Sequence, residues 1–193
     1  MENLQRKLTK EISDIMAVKT LIQSIASGGS VTDDSILHSP TVPVHEMTNE
    51  IRMIIQDLKD TLWVYPFCRG LSAPQIGYSY SISVINIKRE SPDNDLVFIN
   101  PKIVKASGKK DKKRESCMSV WGKMGEVERR DKIDITYQNE DLKLIYASYT
   151  GFLSRAIQHE IDHLSGILYS DKIVPGTELQ TADFFDRFSI IEG

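Results

Sequence analysis

"DKIDITYQNEDLKLIYASYTGFLSRAIQHEIDHLSG" (131–166) packs three elements into one stretch. The runs "DKIDITYQ" (131–138) and "LKLIYASY" (142–149) are rich in β-branched and aromatic residues and flank "NED", the pattern of a β-hairpin. From about Gly151 the period changes. Ile157, Ile161 and Leu164 recur at helical spacing, and Gly166 sits where such a helix would end. A hairpin running directly into a helix predicts an α+β chain.

Outward from this stretch the pattern holds. "SYSISVINI" (79–87) and "LVFINP" (96–101), the latter after the turn "SPDND", read as strands. Before them, Met47, Ile51, Ile54, Ile55, Leu58 and Leu62 form one stripe of a helix over about 46–62. The methionine there is core filling. Between helix and strands, "YPFCRGLSAPQIG" (65–77) has two prolines and two glycines, which force irregular backbone. A further amphipathic helix is expected over 4–25, stopped by "SGGS" (27–30), so residues 1–30 read as an extension and 31–193 as the main domain. Strands cluster in the middle and helices at the ends. The expected architecture is antiparallel or mixed β-sheet packed around the C-terminal helix, with an additional N-terminal helix.

Composition narrows the function classes. With 40% hydrophobic and 26% charged residues and a net charge of −3, the chain reads as a soluble globular protein with no DNA-seeking field. It has no apolar run of membrane-spanning length. The first thirty residues lack an apolar h-region and carry Glu2, Glu11 and Asp14, which argues against a targeting signal. Two cysteines, Cys68 and Cys117, argue against a disulfide framework and suggest a reducing compartment, the cytoplasm. "KIVKASGKKDKKRE" (102–115) holds seven Lys/Arg against two acids and reads as a solvated loop or hairpin tip. The other reading is a foothold on ribosomal RNA through residues 102–114.

The chemistry starts in the last helix. Residues i and i+4 project from one face, so His159 and His163 can grip a single ion, and Glu160 can reach a water beside it without being a ligand. Surface histidines at a helix end are the bland alternative. Two histidines leave a catalytic site one protein ligand short. No histidine follows His163, and Asp171, Glu178, Asp183, Asp186 and Glu192 stand in no telling context. Upstream, "ESCMS" (115–119) offers Cys117 in a polar segment between strands, although a lone cysteine is more often a small core residue.

Three motifs, in order, resemble the peptide deformylase family. "GLSAPQIG" (70–77) resembles its Gly-Leu-Ala-Ala-Pro-Gln-Ile-Gly, "ESCMSV" (115–120) its Glu-Gly-Cys-Leu-Ser-Val, and "QHEIDHLSG" (158–166) matches its third motif through the core. The resemblance implies removal of the formyl group from N-formylmethionyl nascent chains. It implies Cys117, His159 and His163 as ligands of one divalent ion, Fe2+ in vivo, with Zn2+, Ni2+ or Co2+ able to occupy the site. By the same resemblance the ion would supply Lewis-acid activation of a water, and Glu160 would move the water's proton to the leaving amine as the formyl carbon is attacked. The side-chain amide of Gln75 and the backbone N–H of Met118 would stabilise the oxyanion. Gly70 would let the backbone approach the peptide, and Phe152 and Ala156, on the helix face along the site, would shape an apolar methionine pocket.

The chain departs from the family pattern at four places. Cys68 stands where the first motif usually opens on glycine, Ser72 replaces an alanine, Ser116 a glycine, and Trp121 stands where proline is common. No implied ligand or base is lost. Two other readings compete: a His-Glu-x-x-His zinc protease, which would need a downstream third ligand, and a degenerate relative that keeps the metal and works as a binding protein.

Overall fold

The computed structural model describes Leu21 and residues 34–182. The expected N-terminal helix over 4–25 otherwise lies outside the described residues, but Leu21 itself is buried in the main core.

The first described α-helix, α1 (Asn49–Val64), starts later than the apolar stripe suggests because Thr48 caps it, its hydroxyl accepting the Ile51 N–H at 3.2 Å. Met47, left outside the helix, still packs against the core. Ile51, Ile54, Ile55, Leu58 and Leu62 are buried, each such side chain contributing about 1.5–3 kcal/mol of transfer free energy. Arg89 ties down the end of the helix and the turn beyond it, its guanidinium donating to the carbonyls of Leu62, Trp63 and Cys68 at 2.8–3.0 Å.

The strands are β1 (Gly70–Ser72), β2 (Ile82–Ile85), β3 (Leu96–Cys117), β4 (Val120–Gln138), β5 (Leu144–Thr150) and β6 (Gln180–Thr181). They form one antiparallel sheet in the order β1-β2-β3-β4-β5, with β6 on β4. The second helix, α2 (Gly151–Leu164), follows β5 directly, as the sequence predicts. Alternation along the strands sends neighbouring residues to opposite faces. Leu71, Ile82, Val84, Val97 and Ile99 join the core beneath α1. Ile85, Phe98, Ile133 and Ile135 pack with Ala156 and Ile157 of α2. The sheet therefore has a helix on each face, and the face under α2 carries the site.

One expectation is overturned. The basic stretch 102–115 is neither loop nor hairpin tip; it is the middle of β3, paired with β4 from Lys102↔Thr136 to Glu115↔Gly125. The tight turn comes later, at Met118 and Ser119, between Cys117 and Val120. The reason lies in burial. Residues 102–110 are largely exposed on both faces of the strand, so no period-2 apolar signal marks it. Strand β4 also places Glu128 and Glu126 opposite Lys112 and Arg114, which offsets like-charge repulsion along the ribbon.

Candidate metal centre and active site

Two short pieces of backbone face α2. On β1, Gly70 and Ser72 share the face that Leu71 does not use. On β3, Glu115 and Cys117 stand two residues apart, so carboxylate and thiol project to the same side. Helix α2 brings His159 and His163, one turn apart.

The Cys117 Sγ, a His159 ring nitrogen and a His163 ring nitrogen lie within 4.8 Å of one another, and among the described residues this is the cluster that could hold a metal ion. The donors point inward. His163 Nε2 is 3.2 Å from the Cys117 sulfur, while His159 Nδ1 is held 3.0 Å from Glu115 Oε2, which leaves its Nε2 for the centre. One soft sulfur and two imidazoles fit a divalent transition metal. Neither Asp171 nor Glu178 joins this cluster; Asp183, Asp186 and Glu192 lie outside the described residues.

Glu115 anchors a buried ion network. Its carboxylate accepts from Arg129 Nε and Nη2 at 2.6 and 2.8 Å, from Arg155 at 2.6 Å, and pairs with His159. Arg129 reaches on to Asp162 at 2.8 Å, which also binds Lys172. Burial alone would raise the Glu115 carboxyl, but hydrogen bonds from His159 and Arg129 outweigh it and hold the group well below the usual carboxylate range. Burial works against a charge on His159 as well, yet its bonds to Cys117 and Glu115 lift it well above the ordinary imidazole value. His163 is pushed the other way, by burial and then by the charge on His159.

Glu160 sits beside the cluster, 5% exposed. Burial raises its carboxyl, opposed by the charge on His159 and by the Ser72 hydroxyl, which donates to Oε2 at 2.6 Å. Gln75, 1% exposed, lies on a single 3-10 turn after β1. Its Oε1 accepts the Ser72 N–H at 2.9 Å, so its Nε2 turns to Cys117 Sγ at 3.4 Å and Ser119 Oγ at 3.3 Å. Met118 opens the turn next to Cys117, with its side chain in the main core. Glu160, Gln75 and Met118 are thus each in direct contact with a donor residue, adjacent to one in the chain, or both.

A Cβ on Gly70 would stand 2.5 Å from Glu160 Oε1, so this glycine makes room for the carboxylate. Ala156 is buried in the core between α2 and the sheet, and Phe152 packs at its margin. Trp121, at the start of β4, is 40% exposed.

Sequence reasoning passed over Glu115 and Arg129, although both carried a signal. A histidine ligand needs an acceptor on its second nitrogen, and a carboxylate two residues before Cys117 on a strand supplies one. Arg129 occupies the inward register that Val127, Ile133 and Ile135 define along β4. Arg155 and Asp162 are added by the helix period, one turn from His159 and from Gln158.

The chain is similar to known proteins. The family model described as polypeptide deformylase matches residues 30–178. A peptide deformylase of Halothermothrix orenii is 39% identical over 141 residues, covering 73% of this chain and 89% of its own. Among solved structures, a Synechococcus elongatus peptide deformylase in complex with actinonin superposes with a TM-score of 0.73 at 29% identity, covering 83% of this chain and 86% of that one. A class I type b peptide deformylase of Acinetobacter baumannii, solved with Met-Ala-Ser bound, gives 0.69 at 26% identity, covering 81% and 98%. No helix of the described residues is long and apolar enough to cross a membrane. With the matched region spanning β1 through α2 and the donor cluster inside it, this chain belongs to the peptide deformylase family.

Proposed function

We propose that this deformylase hydrolyses N-formylmethionyl peptides with Cys117, His159 and His163 as metal ligands, Glu160 as the proton-transfer group, and Gln75 with the Met118 N–H as oxyanion donors. The observation that carries the assignment is the convergence of one thiol and two imidazoles within 4.8 Å, with the buried Glu160 next to His159 on the same helix. A divalent ion held there, Fe2+ by family resemblance, would acidify a water and polarise the formyl oxygen. The third donor comes from β3, upstream of the helix. That leaves the zinc protease reading without support, and the family membership does the same for a binding protein.

The residues divide the work. A Glu160 carboxylate oxygen takes a proton from the attacking water as the C–O bond forms, then delivers it to the amine nitrogen as the C–N bond breaks, releasing formate. Gln75 Nε2, kept facing the thiol by the Ser72 N–H, donates to the developing oxyanion, one such donor contributing on the order of 3 kcal/mol in the transition state. Gly70 leaves the β1 backbone open to an extended peptide. Phe152 and Ala156 border the methionine side chain, and Met-Ala-Ser bound to the A. baumannii relative fits such a substrate class.

The test is formate release from a formyl-Met peptide by anaerobically purified, metal-quantified protein. Glu160→Gln should retain the metal and lose activity by at least about 100-fold. Turnover near wild type in that variant would sink the assignment.

Two finer readings accompany it. Both cysteines are free and buried, which suits a reducing cytoplasm. Beyond Ile99, β3 pairs with β4 alone among the described residues, and its exposed lysines suit a phosphate backbone at the ribosome. Ribosome co-sedimentation that ignores both salt and charge reversal at Lys109, Lys110 and Lys112 would count against the second.

A further inference from the structure

We infer that the Ser72 hydroxyl is a positioning group for Glu160, holding Oε2 so that Oε1 is the oxygen that exchanges the proton. This rests on the assignment of Glu160 above.

The geometry is specific. Ser72 is fully buried, and its Oγ lies 2.6 Å from Glu160 Oε2 and 3.3 Å from the Glu160 carbonyl oxygen. A hydroxyl donating to a carboxylate at that distance makes a strong, charge-assisted bond. On the other side Oε1 occupies the space that a Cβ on Gly70 would need, so the glycine admits this orientation. Gly70 and Ser72 are i and i+2 on β1, so one strand face sets both ends of the carboxylate. Glutamate has three rotatable side-chain bonds, and without such restraints its carboxylate samples several orientations. The hydroxyl reduces that freedom beside the atom where a proton must be exchanged, Gly70 leaves room for the orientation so selected, and positioning of this kind supports the rate of the chemical step.

Ser72 also reaches the second group of the proposed machinery, through a different atom. Its main-chain N–H sets the Gln75 amide. Substitution of the side chain leaves that bond in place, so the two effects separate experimentally. The family motif that the chain resembles has alanine at this position, so the hydroxyl contact is a property of this chain and is not demanded by the motif.

The proton path balances without Ser72 giving up its own hydrogen. As the water oxygen bonds to the formyl carbon, a water O–H breaks and Oε1–H forms. When the C–N bond breaks, that proton passes to the amine nitrogen and the carboxylate is restored. Throughout, Ser72 Oγ donates to Oε2.

Ser72→Ala, Ser72→Thr, Ser72→Val and Glu160→Gln should be compared in formate release at equal, measured metal occupancy, together with a crystal structure of metal-loaded Ser72→Ala. Ser72→Ala should lower kcat about 10-fold with KM within about 2-fold, and its Glu160 carboxylate should adopt more than one orientation. The isosteric pair isolates the hydroxyl if Ser72→Ala folds poorly: Thr should exceed Val in kcat by about 10-fold. Unchanged kcat in Ser72→Ala, equal Thr and Val variants, or an unmoved Glu160 would overturn the inference while an inactive Glu160→Gln leaves the broader assignment standing. An active Glu160→Gln would overturn both.

Discussion

Cys68 shows how a single residue can be chemically silenced by its surroundings. It is 3% exposed, and its thiol donates to the Gly70 carbonyl at 2.9 Å. Burial pushes the thiol well above its ordinary value; the charges of Glu160 and Cys117 add to this, and Arg89 opposes it. The native state therefore holds the Cys68 proton at a pH where the unfolded chain releases it. Stability from this group is fully present below the unfolded thiol pKa, about 8.5, and is lost as pH rises from there toward the raised native value. Wild type should lose up to about 1.4 kcal/mol per pH unit more than Cys68→Ala above that point. Chemical denaturation of both proteins between pH 8 and 10 measures the difference, and parallel slopes would refute it. In the metal-loaded protein at pH 8, peptide mapping after alkylation should find Cys68 unmodified until the chain unfolds.

At the scale of elements, the end of α2 is where backbone geometry leaves least tolerance. Ser165 and Gly166 N–H groups bond back to Asp162 and His163, and Gly166 takes φ +73°. A Cβ there would lie 2.7 Å from backbone atoms of His38 and Ser39, which cannot swing aside as a side chain could. Gly166→Ala should cost about 2 kcal/mol or more, from the left-handed conformation plus the clash. Thermal unfolding should shift downward by about 4–8 °C, and a shift under 1 °C would contradict the argument. This glycine was legible in the sequence, as were α2, the β4–β5 hairpin and the strands on either side of the turn before Leu96, because each carries a period or a short apolar run bounded by turn residues. Strand β3 was not legible over 102–110, where both faces are largely wet and nothing alternates. The site followed the same rule. His159, Glu160 and His163 announce themselves by helical spacing within one element. Cys117 and Gln75 were reached through motif resemblance, since their partners come from other elements. Glu115 had a strand-register signal, but its four bonds to Arg129, Arg155 and His159 depend on β3, β4 and α2 meeting in space.

In the whole molecule that meeting is what an ion would hold together. Cys117 closes the long β3–β4 ribbon, His163 lies 46 residues further on in the second helix, and 3.2 Å separates their donor atoms. An ion bound by these donors and ignored by the unfolded chain stabilises the fold by mass action, about 4 kcal/mol when free ion exceeds the dissociation constant 1,000-fold. For a chain of this size each kcal/mol moves the thermal midpoint by about 2–4 °C. Chelation should therefore abolish formate release and lower the midpoint by about 10 °C, and one equivalent of divalent ion should restore both. The Glu115 network makes the apo site more than a passive gap. With Glu115 keeping His159 Nδ1 engaged, the imidazole stays oriented for rebinding, so recovery should need no refolding step and should be complete within mixing and equilibration of the metal. A Cys117→Ala variant separates a metal effect from general strain: it should melt near the chelated wild type and gain nothing from added ion. If chelation stops formate release while the midpoint stays within 1–2 °C, the ion serves the chemistry alone, and the ribbon and helix are held by the Glu115, Arg129 and Asp162 network without it.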